Sequence, residues 1–514
     1  VSRRYPQIRP ESAVFASGVA SMGLEILAGR MVAPAFGSSV YTWGSIIGVF
    51  LAALSLGYAL GGRYAATHAS NQALAILSAV AAVSVAAVAV GGDVVITWFD
   101  TLNLVEPRYA AILPVTLLFG PMTFLLGVIS PFAAEQSAAE SHGSASGRVY
   151  AVGTIGSIVG AFGATFLLIP AFPVGEVALL LALPLIVVAV LVGDTEPPTV
   201  AAVGLAVVAV GLAGFLVVAG PPMTGDTIYE TQTAYSDLEV RQDEGVRTMY
   251  IGGVPQSATY VDGREGYVFD YAPYMHLPML LTDDVDRVLF IGGGGFTGPQ
   301  RYVEEYPNVT IDAVEIDPQV VDTAERYFGL QESDRLQVHV ADGREFLQST
   351  DRTYDVIILD AFQADKVPFH LTTREFVELT RSKLDEDGVL MANIISARSG
   401  EGSAFYRAMI KTVDTTYPHL YTFPTADTPN LQNIELVATK HADFTQADLQ
   451  RLNDRRDIGL DLSEEIERYR RAETVPTGDV PILTDDYAPV DSLLDEQVDK
   501  PYVITGWNGT TATG

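Results

Sequence analysis

The sequence predicts an α-helical transmembrane bundle of about seven spans, followed by a small antiparallel β domain and then a doubly wound α/β domain. Three observations carry this. First, charge is divided sharply along the 514 residues: positions 1–220 hold 10 acids and 7 bases, which leaves 52 of the 62 acids and 24 of the 31 bases to positions 221–514. Second, apolar runs of the roughly 20 residues needed to cross a bilayer recur, all of them before position 220. Third, after about position 285 short apolar runs alternate with amphipathic ones, as strands and helices do around a parallel sheet. The domains are therefore placed at 1–220, 221–264 and 265–514.

Composition excludes several classes. A hydrophobic fraction of 48% beside a net charge of −31 rules out a disordered acidic chain. The same charge argues against nucleic acid as a partner, because phosphate contacts need a basic patch. Without cysteine there are no disulfides, thiolate metal sites or cysteine nucleophiles, and with seven scattered histidines no metal site is expected. Only five of the bases are lysine, and the carboxylates are dense. That is the surface of a protein adapted to strong salt, so a halophilic, archaeal source is expected.

The seven apolar runs lie at roughly 12–34, 41–62, 72–98, 109–133, 149–169, 174–193 and 199–219. None reads as a cleavable signal peptide. The run with Pro114, Pro121 and Pro131 is the weakest span. Small residues recur at Gly57 and Gly61, and at Gly153, Gly156, Gly160 and Gly163, where close helix packing is the simpler reading than a transport path. Glu25 falls near the middle of the first span, where an ionisable group is costly, so it is a candidate functional residue. Orientation is contradictory. Arg3, Arg4, Arg9, Arg63 and Arg148 share the N-terminal side against Arg30 and Arg108, which would put the acidic half outside. A cytosolic nucleoside ligand, argued next, demands the reverse, and a multi-pass membrane protein with a cytoplasmic acidic half is expected.

From Thr227 to Val261 short β-type runs alternate with turn signals such as Asp243-Glu244-Gly245, which predicts the small antiparallel domain. Then come apolar strands at 287–292, 310–316, 336–341, 354–361 and 388–395, separated by amphipathic stretches such as 318–328 and 371–384. In a doubly wound sheet the ligand lies at the carboxyl ends of the strands. The first of these strands ends in Gly292-Gly293-Gly294-Gly295, the second in Glu315; Asp342-Gly343 follows the third, and Asp360 ends the fourth. Glycines let backbone approach a ligand, and an acid at the second strand end can accept both hydroxyls of a ribose. No base lies between Gly292 and Gly298, and no Gly-Lys-Ser/Thr follows, so pyrophosphate is disfavoured. A nucleoside without phosphates fits this acid-lined pocket, and a sulfonium cation fits it better.

Residues from about 226 to 440 resemble the polyamine aminopropyltransferases, the spermidine synthase family. The resemblance rests on "AYSDLEV", "MYIGGVPQS", "YMHLP", "VLFIGGGG", "VEIDPQVVDTAERYF", "VHVADGREFL", "YDVIILDAF" and "LDEDGVLMANI", in that order. With "GSSVYTWGSIIGVFLAALSLGYALGGR" and the closing "LTDDYAPV", the whole chain resembles the membrane-fused branch of that family. The resemblance implies the Rossmann-like fold of class I S-adenosylmethionine-dependent methyltransferases. It also implies aminopropyl transfer from decarboxylated S-adenosylmethionine, as co-substrate, to a small amine. Glu315 would hold the ribose hydroxyls, Asp342 with Gly343 the adenine amino group, and Asp360 would be the general base.

The departures fall on the amine side. The family's acid after three glycines is Gly295 here, and its second acid, three residues past the catalytic one, is Gln363; Asp365 substitutes only if its loop is re-aimed. Ser236 replaces a glutamine, Tyr271 replaces a histidine or glutamine, and Gln256 matches. Gln256, Tyr271, Gln363 and Asp365 are therefore the candidates for the amine. The altered half argues against a small dication such as putrescine and leaves another amine open. His276 and His339 receive structural readings, His370 is read as a helix cap or as lining the acceptor loop, and Asp485 and Asp486 as a turn cap or, from the motif's place in the membrane-fused branch, as neighbours of the pocket. Two other functions stay open: methyl transfer from S-adenosylmethionine itself to a membrane-delivered acceptor, and nucleoside sensing that gates a transporter. Self-association is also left open.

Overall fold

The computed structural model describes residues 10–36, 39–102, 107–137, 142–193, 196–219, 226–364, 366–400, 402–428, 430–456, 458–494, 497 and 502–504. The chain divides into two compact units, Val1–Gly225 and Asp226–Gly514.

The first unit is helical. Its long helices are α1 (Glu11–Phe36), α2 (Val40–His68), α3 (Asn71–Leu102), α4 (Ile112–Ser137), α5 (His142–Gly163), α6 (Val174–Val192) and α7 (Pro197–Ala219). Seven segments among the described residues are long and apolar enough to cross a bilayer. The proline-bearing run keeps one helix through Pro121 and Pro131, so it is long enough for a full span. A proline in a helix frees a carbonyl, which neighbouring helices in an apolar setting can tolerate. Close packing is visible where the small residues fall. A Cβ on Gly57 would stand 2.4 Å from the Phe124 carbonyl of α4, and one on Gly156 would stand 2.3 Å from the Phe15 carbonyl of α1. Outward-facing Phe162, Phe166, Leu167 and Phe215 are each more than 60% exposed, an apolar exterior that suits acyl chains rather than water. Glu25 is half-buried on α1. Arg3, Arg4 and Arg9, which bear on orientation, lie outside the described residues.

The second unit holds two sheets. Strands β1 (Thr227–Gln232), β2 (Asp237–Asp243), β3 (Val246–Ile251) and β4 (Val254–Tyr260) form an antiparallel meander. It is not an independent body: Leu238, Val240 and Met249 share one core with Phe290 and Val356 of the larger sheet and Tyr302 of the helix Thr297–Glu305. The apolar face of the meander is buried in that shared core. The larger sheet has eight strands in the order β12-β10-β11-β9-β8-β5-β6-β7. Five are mutually parallel: β5 (Arg287–Ile291), β6 (Thr310–Glu315), β7 (Leu336–Val340), β8 (Tyr354–Leu359) and β9 (Leu384–Ser396). Strand order reverses between β5 and β8, which opens a crevice above their carboxyl ends.

Three further strands were not expected from sequence. β10 (His419–Pro424) and β11 (Gln432–Thr439) form an antiparallel hairpin against β9, and the two-residue β12 (Arg470–Arg471) pairs with β10. All eight residues of β11 are buried although three of its first four are Gln, Asn and Glu. An apolar-run search misses such a strand, because its buried face is partly polar.

Candidate active site

Above the carboxyl ends of β5, β6 and β8 lies a cavity of about 310 Å³. The tetraglycine turn shapes its floor. Gly292 has φ +101°, and a Cβ there would stand 2.1 Å from the Asp360 carbonyl oxygen, so only glycine allows the two strand ends to meet. The Asp360 N–H donates to the Ile291 carbonyl at 2.8 Å, which fixes the acid beside the turn.

Each acid is oriented by its own partners. Glu315 accepts the Gly293 N–H at 2.8 Å on one oxygen and the Asp317 N–H at 2.9 Å on the other. Burial raises its pKa, against the lowering effect of those two backbone donors. A carboxylate has about four lone-pair sites, so two stay free to accept a pair of vicinal hydroxyls. Asp342 caps the helix Gly343–Ser349, accepting the N–H groups of Arg344 and Glu345 at 2.9 and 3.0 Å, while its second oxygen meets Nε2 of His370 at 2.7 Å. Burial would raise its pKa, but the cap bonds and His370 outweigh it and hold the acid below the usual range. Asp360 accepts a hydrogen bond from Nδ2 of Asn393 at 2.8 Å. Burial pushes its pKa up, and Asn393 offsets only part of that.

The cavity brings together Gly292, Gly293, Gly294, Glu315, Asp342, Gly343 and Asp360 with Gln256, Tyr271 and Gln363. The Tyr271 hydroxyl donates to the Gln256 carbonyl at 3.3 Å. Gly295 stands off the wall: its N–H donates to Ser257 Oγ at 2.8 Å, and a Cβ there would lie 2.8 Å from the Ser257 Cβ and 3.1 Å from the Phe328 ring. The position therefore has no room for an acid. Gly295→Asp is expected to destabilise the fold by about 1–3 kcal/mol through overpacking. A thermal melt should show the loss, with no gain in amine affinity. Asp365 lies outside the described residues.

The residues given structural readings mostly keep them. His276 is fully buried between the hydroxyls of Tyr267 and Tyr306, and burial drives its pKa down to about 3, so it is a neutral packed histidine. His339 pairs with Asp312 at 2.8 Å, away from the cavity. Asp485 forms a two-pronged pair with Arg344 at 2.7 and 2.6 Å, so the "LTDDYAPV" segment braces the helix that Asp342 caps. His370 reaches the cavity wall. Lys366, Asn393, Asn433 and Tyr502 also line it and were missed. Asn393 carried a usable signal as the one polar residue in "VLMANII", whereas Tyr502 sits in a tail with no pattern.

Among the described residues no group of His, Asp and Glu side chains is arranged to hold a metal. Comparison with known proteins adds an independent line. The Spermine/spermidine synthase domain matches residues 272–441. The polyamine aminopropyltransferase of Vibrio vulnificus is 35% identical over 194 residues, covering 35% of this chain and 64% of that protein. A probable polyamine aminopropyl transferase of Bifidobacterium longum is 30% identical over 302 residues, covering 54% of this chain and 66% of its own length. The polyamine aminopropyltransferase of Thermococcus onnurineus is 30% identical over 234 residues, covering 44% of this chain and 80% of that protein. The chain thus spans just under two thirds of the first two relatives.

Proposed function

The chain belongs to the polyamine aminopropyltransferase family, and we propose that it transfers an aminopropyl group from decarboxylated S-adenosylmethionine to an amine, with Asp360 as general base. The observation that carries this reading is the position of Asp360: half-buried, beside the glycine turn, and held by Asn393 within one cavity with Glu315 and Asp342. An amine at neutral pH is protonated, and only its lone pair can attack. In the proposed step Asp360 takes the ammonium proton, the nitrogen bonds to the methylene carbon beside the sulfonium, and the carbon–sulfur pair leaves with methylthioadenosine. Glu315 and Asp342 would bind ribose and adenine, and burial, which raises the Asp360 pKa, makes it a better proton acceptor. The seven apolar helices would hold the protein in a lipid bilayer, with the acidic unit on the cytoplasmic side where such a nucleoside is available.

One observation favours a second reading. Lys366 lines the cavity and is a cation that a donor's carboxylate could meet, as methyl transfer from intact S-adenosylmethionine would need. Product binding separates the two. Aminopropyl transfer predicts tighter binding of methylthioadenosine than of S-adenosylhomocysteine by calorimetry; the opposite order would favour methyl transfer.

A further inference from the structure

Strands β8, β9 and β11 carry three polar side chains abreast on one face. Asp360, one residue past the end of β8, donates no side-chain proton but accepts from Asn393 of β9, and Asn393 stands directly opposite Glu435 of β11 in the antiparallel register. The period of two along a strand confirms the shared face: Val356 and Ile358, Val389 and Met391, and Val437 all enter the same core. With neighbouring strands spaced about 4.8 Å apart, the two acids flank Asn393 with their backbones about 10 Å apart.

Glu435 has no exposed surface, and among the described residues neither of its carboxyl oxygens has a hydrogen-bond partner. Such a group is expensive to bury, and natural cores rarely keep one without use. Glu435 lies behind the cavity wall rather than in it: its partner on β9, Asn393, lines the cavity, and its partner on β10, Phe423, belongs to the core. Asn393 donates to Asp360 and accepts from Asn433, and Asn433 accepts from the Tyr502 hydroxyl at 2.8 Å. Every hydrogen-bonding member of that chain lines the cavity, yet none satisfies Glu435. What is missing beside it is a donor, and the donor that best compensates a buried carboxyl is a cation.

We propose that Glu435 is a specificity-determining residue that binds a second ammonium group of a di- or polyamine whose reacting nitrogen lies at Asp360. This rests on the amine-transfer reading above and deepens it. It also accounts for the altered acceptor side: acids absent at Gly295 and Gln363 are replaced by one on β11, a strand that no acid-bearing motif marks. A monoamine cannot use Glu435, whereas an amine with a second cation several bonds away can pair with both carboxylates at once.

The test is calorimetric binding of 1,4-diaminobutane, a linear triamine and butylamine to the full-length protein saturated with methylthioadenosine. Wild type is compared with Glu435→Gln and Glu435→Asp. Glu435→Gln should weaken diamine or triamine binding by at least about tenfold, the effect of losing a charged hydrogen bond, with butylamine changed less than about twofold. Glu435→Asp, which keeps the charge with a shorter reach, should fall between. Retained methylthioadenosine binding shows that the fold and nucleoside subsite are intact, a control a general packing defect would fail. Equal diamine and triamine binding in all three proteins, or no amine binding to wild type, would overturn the assignment. If Glu435 governs amine binding but no aminopropyl group is transferred, the proposed reaction fails while the assignment stands. If transfer occurs with a KM for diamines indifferent to Glu435→Gln, the assignment fails alone.

Discussion

Asp360→Asn should lower turnover by about a thousandfold, within the range for losing a general base, while methylthioadenosine binding stays within a few-fold. The substitution is nearly isosteric, and its carbonyl oxygen can still accept from Asn393 Nδ2, now at 2.8 Å. The nucleoside contacts at Glu315 and Asp342 are untouched, so a combined loss of binding and turnover would signal misfolding rather than chemistry. Stability supplies a check of opposite sign. Burial raises the Asp360 pKa in the fold, so its contribution is fully present only below the unfolded value, near 4, and is lost as pH rises through the folded one. Asp360→Asn has no such loss and should melt no lower than wild type at neutral pH. The rate itself should fall as pH drops through the raised pKa, because the base must be ionised to act. Unchanged turnover in the variant would remove Asp360 from the mechanism.

Glu315→Ala should weaken methylthioadenosine binding by about 2 kcal/mol, or roughly thirtyfold, the scale of lost hydrogen bonds to a charged group. Two consequences separate here. The ribose loses its acceptor, and the N–H groups of Gly293 and Asp317 lose theirs at 2.8 and 2.9 Å. Glu315→Gln distinguishes them: one amide oxygen can still serve a backbone donor, so stability should recover more than affinity. Since burial raises the Glu315 pKa, nucleoside affinity should also weaken toward acid as the carboxylate gains its proton. Affinity unchanged in Glu315→Ala by calorimetry would place the ribose elsewhere.

Much of this was legible because the chemistry sits at strand ends. Apolar runs mark β5, β6 and β8, and the residue after each run is the one that meets the cavity, so Gly292, Glu315 and Asp360 can be found without coordinates. The helical half was legible for a similar reason: length and composition suffice when the environment is uniform. Gly295 illustrates the opposite case. It stands where the family carries an acid, but Ser257 and Phe328 pack where a side chain would go, and only tertiary contact reveals that. Glu435 was invisible for another reason. Its importance lies in which strands flank β9, and no local pattern encodes that β11 returns antiparallel beside it. Lys366 likewise reaches the cavity through a loop whose path residue types alone do not set.

The most direct measurement incubates the purified full-length protein in strong salt with a panel of amines and each donor separately, decarboxylated or intact, and resolves products by mass spectrometry. The account predicts an aminopropylated di- or polyamine and methylthioadenosine in equal amounts, formed only from the decarboxylated donor and absent with Asp360→Asn. A methylated product accompanied by S-adenosylhomocysteine would contradict it.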